Sequence, residues 1–126
     1  MVGGSIYALG RQRGFDVAGT YSSFAVPDLH QLDASDNAAV QSLVSTLEPK
    51  VIFLPAAFTN VDACERDPSL SQRINVTAIE NVARACQRTG AKLVSFSSDY
   101  VFDGLSGPYL ESATPNPVNV YGQHKL

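Results

Sequence analysis

The sequence is short of several features, and each shortage removes a class of function. Its 126 residues include two cysteines, Cys64 and Cys86, with no Cys-x-x-Cys pair and no histidine at metal-ligand spacing. Two thiols so placed are too few for a disulfide scaffold and read as reduced structural groups. His30 and His124 stand apart from any ligand cluster, so no metal site is expected. No apolar run reaches membrane-spanning length, and no basic segment leads into an apolar one, which makes a cytoplasmic setting the expectation and gives no membrane partner. Basic residues are also few: 9 Lys and Arg against 12 Asp and Glu leave a net charge of -3, without a basic block or basic-aromatic interleaving. That balance argues against nucleic acid as a partner. Internal repeats and low-complexity tracts are absent from the sequence as well.

What remains is an alternation of helical and extended patterns at a length that suits about one domain. Ser5 to Arg13 reads as a short helix closed by Gly14, and Phe15 to Tyr21 as a strand. A brief extended segment near Leu29 to Leu32 leads to Asp33. Asp36 to Leu47 then carries Ala39, Val40, Leu43, Val44 and Leu47 at helical spacing, with Pro49 ending the helix. Lys50 to Pro55 is a compact apolar run of the kind buried on both faces in a parallel sheet, so helices are expected on both sides. Asn60 to Leu70, with Asp67-Pro68, reads as a turn and short helix. Arg73 to Arg88 places Ile74, Ala78, Val82 and Ala85 on one stripe, and Gly90 stops it. Lys92 to Phe96 forms another buried strand whose end delivers Ser97, Ser98 and Asp99. Asp103 to Pro117, rich in Gly, Ser and Pro, reads as an active-site loop, with Asn116-Pro117 supplying the N-cap and first-turn proline of a last helix.

That last helix carries the chemistry. Tyr121-Gly-Gln-His-Lys125 sets a phenol and an ammonium one turn apart on a common face, where the lysine charge favours tyrosinate and makes the phenol a usable proton donor. Ser98 lies at the end of a strand, where ligands of open α/β sheets bind. Together the three suggest carbonyl reduction. At the other end of the chain, Met1-Val2-Gly3-Gly4 followed at once by a helix fits the closing glycine of a G-x-x-G-x-x-G pyrophosphate loop.

Four ordered blocks then define a resemblance: Pro55 to Asp62, Ile74-Asn75-Val76-Thr77, Ser97-Ser98-Asp99-Tyr100-Val101-Phe102-Asp103-Gly104, and Pro115 to Lys125. They resemble the dTDP-4-dehydrorhamnose reductase family, extended-type members of the short-chain dehydrogenase/reductase superfamily. The third block is similar to the reductase branch rather than to the dehydratases or epimerases. The resemblance implies an α/β, Rossmann-like, doubly wound parallel sheet. It implies too that the first strand, most of the glycine loop and the substrate region beyond Leu126 are missing, so that the chain alone is expected to be unstable and to bind cofactor poorly.

Carried over residue by residue, the resemblance gives Ser98 the substrate carbonyl, with Ser in place of the usual Thr. Tyr121 becomes the proton donor, and Lys125 the group that holds the nicotinamide ribose and keeps the phenol acidic. It sets Gly3 by the pyrophosphate, Ala56 and Ala57 where the dinucleotide lies close, and Asp33 on the adenine amino group. Thr20-Tyr21-Ser22-Ser23 lacks the carboxylate that grips the ribose of NAD, which favours NADPH; no arginine lies there to hold a 2′-phosphate, and NADH remains open. The implied partner is a nucleotide-linked 4-keto deoxysugar, and the complete protein is compatible with a homodimer. The same resemblance extends to a non-catalytic regulatory subunit of methionine adenosyltransferase and to other sugar-nucleotide reductases and epimerases.

Overall fold

The structure is a computed structural model and describes residues 2–126. Met1, the first residue of the glycine pattern, lies outside them. The elements run α1 (Val2–Gln12), β1 (Thr20–Tyr21), β2 (His30–Gln31), α2 (Asn37–Leu47), β3 (Val51–Leu54), α3 (Val61–Arg66), α4 (Pro68–Gln72), a π turn (Arg73–Thr77), α5 (Ala78–Thr89), β4 (Lys92–Ser95), a 3-10 turn (Asp99–Val101) and α6 (Val120–Lys125). The strands pair in parallel as two ladders: β1 with β2, and β3 with β4 in the register Val51–Lys92 to Leu54–Ser95. This is the Rossmann-like α/β class read from the sequence.

Local signals account for most boundaries. Gly14 closes α1 as expected: at φ 77° its N–H bonds Arg11 C=O, and Phe15 N–H reaches back to Gly10 C=O, the paired bonds of a left-handed helix cap. Asp36 caps α2 by accepting from Ala38 and Ala39 N–H. Asn60 and Asp67 cap α3 and α4 in the same way, with Pro68 in the first turn of α4, where its missing N–H is no loss. Gly90 ends α5 at φ 77°.

The core forms where α2 and α5 meet the sheet. Val40, Val44, Val82, Ala85 and Cys86 are buried together, and Ile52, Leu54 and Leu93 pack against them from β3 and β4. Asn81, 3 % exposed, ties this layer to the chain after β2 by donating to Ala34 and Ser35 carbonyls.

Several expectations require correction. The β3 run is parallel, but it is not covered on both sides. Val51, Phe53 and Val94 alternate with the core residues and stand 42 %, 48 % and 36 % exposed, because α2 and α5 share one face and α1 packs elsewhere, its Tyr7 and Gly10 against Gly19 and Val17. The strand expected from Phe15 is laddered only at Thr20 and Tyr21, since its partner β2 is two residues long and follows a turn at Asp28, φ 64°. Helix α1 begins at Val2, so Gly3 and Gly4 lie inside it rather than before it. The long helix expected from Arg73 opens with a π turn. Asn116 does not cap the last helix. Asn119 does, accepting from Gly122 N–H at 2.7 Å, while Asn116 donates from its side chain to Asp103 and from its backbone to Val101 C=O.

Candidate functional site

Three segments converge at the C-terminal ends of β3 and β4: the first turn of α1, the loop from Pro55 to Asn60, and the Ser97–Val101 turn with α6 packed on it. Gly3 brings α1 close to the end of β3, where a Cβ at this position would stand 3.2 Å from the Pro55 ring. Ala57 is half-buried in the loop that follows and Ala56 is exposed. The small side chains leave this rim low, as close approach by a dinucleotide backbone requires.

Ser98 caps the 3-10 turn. Its Oγ accepts from Tyr100 N–H at 3.3 Å and its proton goes to Asp99 Oδ1 at 3.1 Å, so the hydroxyl has to turn away from Asp99 before it can donate to a carbonyl. The turn lies against α6. Ser97 Oγ donates to the Lys125 carbonyl at 3.2 Å, the Tyr100 ring meets the Tyr121 ring edge-on at 5.7 Å, and Gly122 fits under the Tyr100 carbonyl and Pro117 with no room for a Cβ. The turn bearing Ser98 and the helix bearing Tyr121 and Lys125 are thus brought together. Tyr121 is 7 % exposed. Burial pushes the Lys125 ammonium below its ordinary range, and neither ion pair formed among the described residues involves it.

Asp33 follows β2, as expected. Its Oδ1 accepts from the Ser35 backbone and hydroxyl at 2.9 and 2.7 Å, and Oδ2 faces Arg73 at 3.5 Å. The Ser35 bonds, more than Arg73, hold its carboxyl below the usual carboxylate range. Ser22 and Ser23, just past β1, are exposed with their hydroxyls 3.4 Å apart.

Three supporting residues were missed in the sequence. Glu65 of α3 accepts from Val120 N–H at 2.6 Å, at the start of α6. Asn75, turned inward by the π turn and 1 % exposed, accepts from Phe58 N–H at 2.9 Å and donates to Phe58 C=O at 3.0 Å, closing the loop after β3. A lone asparagine beside Ile74 on an apolar stripe was the available signal, because a buried amide requires partners. Asp103 gathers its loop by accepting from Tyr109 Oη, Leu105 N–H and Asn116 Nδ2, and Tyr109 stacks on Phe102 at 4.4 Å. Those bonds, the Tyr109 one foremost, lower its carboxyl to about 2. Its richness in Gly, Ser and Pro marked this loop, but not the carboxylate at its centre.

No helix among the described residues is long and apolar enough to cross a membrane, and no three of their His, Cys, Asp or Glu side chains are grouped to hold a metal. Comparison with known proteins gives a consistent set of relatives. The RmlD substrate binding domain family matches residues 1–126. Methionine adenosyltransferase 2 subunit beta of Xenopus tropicalis is 40% identical over 126 residues, all of this chain and 38% of that protein. A solved dTDP-4-dehydrorhamnose reductase from Bacillus anthracis in complex with NADP is 42% identical with a TM-score of 0.73, covering 75% of this chain and 34% of its own. A hypothetical dTDP-4-dehydrorhamnose reductase from Sulfolobus tokodaii superposes at a TM-score of 0.83 with 34% identity, over 93% of this chain and 44% of its own. The chain therefore spans less than half the length of each.

Proposed function

Because the chain belongs to the RmlD substrate binding domain family, we propose that it is the cofactor-side part of an NADPH-dependent oxidoreductase that reduces the 4-keto group of a dTDP-4-dehydro-6-deoxy sugar, dTDP-4-dehydrorhamnose to dTDP-rhamnose. The observation that carries this reading is the buried Tyr121 one turn from a half-buried Lys125 that no carboxylate pairs, with the Ser98 turn packed on the same helix. Similarity to a reductase solved with NADP supports the cofactor class.

A dinucleotide fits the residues present. Gly3 adds no side chain of its own where α1 meets the end of β3, Ala56 and Ala57 follow β3, and Asp33 Oδ2 keeps a lone pair open for an adenine amine. Ser22 and Ser23 offer hydroxyls rather than a carboxylate at the end of β1, which suits a 2′-phosphate. When bound, the nicotinamide supplies the hydride. Ser98 Oγ holds the carbonyl oxygen, and Tyr121 Oη gives its proton to the alkoxide as the C4 centre is reduced. Lys125 stabilises the phenolate left behind and binds the nicotinamide ribose.

Turnover of dTDP-4-dehydro-6-deoxy-L-mannose with NADPH by the full-length protein tests the proposal. Tyr121→Phe is expected to lower kcat by ~10²–10⁴ while NADPH affinity is retained. Loss of NADPH binding alongside turnover, or full turnover without the hydroxyl, contradicts the assignment. A second reading has its own observation: the 40% identity over the whole chain to methionine adenosyltransferase 2 subunit beta favours a regulatory subunit that keeps the fold. Capture of a methionine adenosyltransferase catalytic subunit, with no reductase turnover, decides for it.

A further inference from the structure

A chain of polar groups crosses the fold beside the phenol and ammonium. His124 Nδ1 lies 2.8 Å from Ser71 Oγ, and Ser71 is fully buried. Asn75 Nδ2 donates to the same Oγ at 3.2 Å and to Phe58 C=O at 3.0 Å, while Asn75 Oδ1 accepts from Phe58 N–H. The two Phe58 bonds fix which end of the Asn75 amide is oxygen, so the Asn75–Ser71 bond has Asn75 as donor. The His124 Nδ1–Ser71 Oγ bond is the other contact of this hydroxyl, with its donor set by the imidazole tautomer.

The ends of this chain are what matter. His124 sits one turn past Tyr121 and next to Lys125 on α6, whereas Phe58 belongs to the loop after β3 that also carries Ala56 and Ala57. Glu65 and Asn119 hold the start of α6, and Ser71 holds it one turn further on through His124.

We propose that His124 and Ser71 are positioning residues, registering the helix of Tyr121 and Lys125 against the loop after β3 through the His124–Ser71–Asn75–Phe58 hydrogen bonds. The proposal rests on the reductase reading for its kinetic consequence only. A misplacement near 1 Å at a reacting group costs about 10²-fold in rate.

The test uses the full-length protein. His124→Phe and Ser71→Ala are each expected to lower kcat about 10²-fold with KM for NADPH and sugar little changed. The double variant should be no slower than either single one, because both remove the same link. His124→Asn, whose amide can present an acceptor to Ser71, should recover most of the rate. Wild-type kcat in His124→Phe, or multiplying losses in the double variant, overturns the proposal. If Ser71→Ala does not fold, the two His124 variants carry the same comparison. If the wild-type protein reduces no sugar, the reductase reading fails separately. The positioning chain is then decided by the amide resonances of Phe58 and Tyr121: His124→Phe must shift both, and movement at Tyr121 alone overturns it.

Discussion

Lys125 shows how a residue suited to function can work against stability. Burial alone lowers its ammonium from the ordinary 10.5, with no carboxylate to offset the lost hydration. A basic group whose folded value is depressed destabilises the fold wherever it is charged. The penalty is therefore present at neutral pH and is relieved as pH rises through the interval between the depressed value and 10.5. Lys125→Met keeps the stem and removes the charge. It should raise the thermal midpoint at pH 7, with the gain shrinking toward pH 10, and should lower any reductase turnover at least about 10²-fold. A lower midpoint at pH 7 would show that the charge is favourably solvated where it stands. The placement of Tyr121 and Lys125 one turn apart was legible because an i, i+4 spacing on a helix puts both on one face. Asn75 showed only as an amide on an apolar stripe, without the partners the π turn gives it, and Ser71 showed nothing, because a serine in a short helix does not reveal that the fold will bury it.

At the scale of elements, the loop between the 3-10 turn and α6 is held by one carboxylate. Asp103 accepts from Tyr109, Leu105 and Asn116, and this lowers its carboxyl from 3.8 to about 2. An acid depressed in the folded state stabilises it above the unfolded value and ceases to do so as pH falls through the folded one. The clasp should therefore be fully present above about pH 4 and lost toward pH 2. Hydrogen-exchange protection of the Leu105 and Asn116 amides follows this directly. Protection at pH 6 should be higher in the wild type than in Asp103→Asn, and the difference should close below pH 4. Equal protection at pH 6 would mean that the Phe102–Tyr109 stack and the Asn116–Val101 backbone bond order the loop without the carboxylate. The sequence marked this stretch as a loop through Gly104, Gly107 and Pro108. Its capping error at Asn116 has a physical cause: Asn-Pro is a good helix start, but Asn116 is already committed to Asp103 and Val101, so the next asparagine, Asn119, takes the cap. Helix boundaries set by side chains a few residues away, such as Asp36 on α2 and Asn60 on α3, were readable. Those set across the fold, such as Glu65 on Val120, were not.

For the whole molecule, the sheet itself is the exposed element. A parallel β3–β4 pair read as two-sided apolar strands is covered by α2 and α5 on one face, and the cross-strand pair Phe53 and Val94 faces outward with Val51 beside it. Composition could indicate that both faces were apolar but not which of them this stretch of chain would cover, since cover depends on elements far apart in sequence. Phe24, Leu105 and Leu110 are also 87 %, 85 % and 70 % exposed, so apolar side chains at the surface are not confined to the sheet. Parallel strands are stable mainly when buried on both sides, and an open apolar face seeks another surface. The 126-residue chain studied by itself should therefore self-associate as its concentration rises and should bind a hydrophobic dye in its folded form. Phe53→Thr with Val94→Thr preserves strand propensity while removing the apolar pair, and should reduce both dye binding and association with little change in circular dichroism. Sedimentation across a hundredfold concentration range provides the check. A chain that stays monomeric and dye-free throughout, with Phe53 intact, would mean that the sheet face is hydrated in isolation and that its apolar residues serve packing within the strand pair alone.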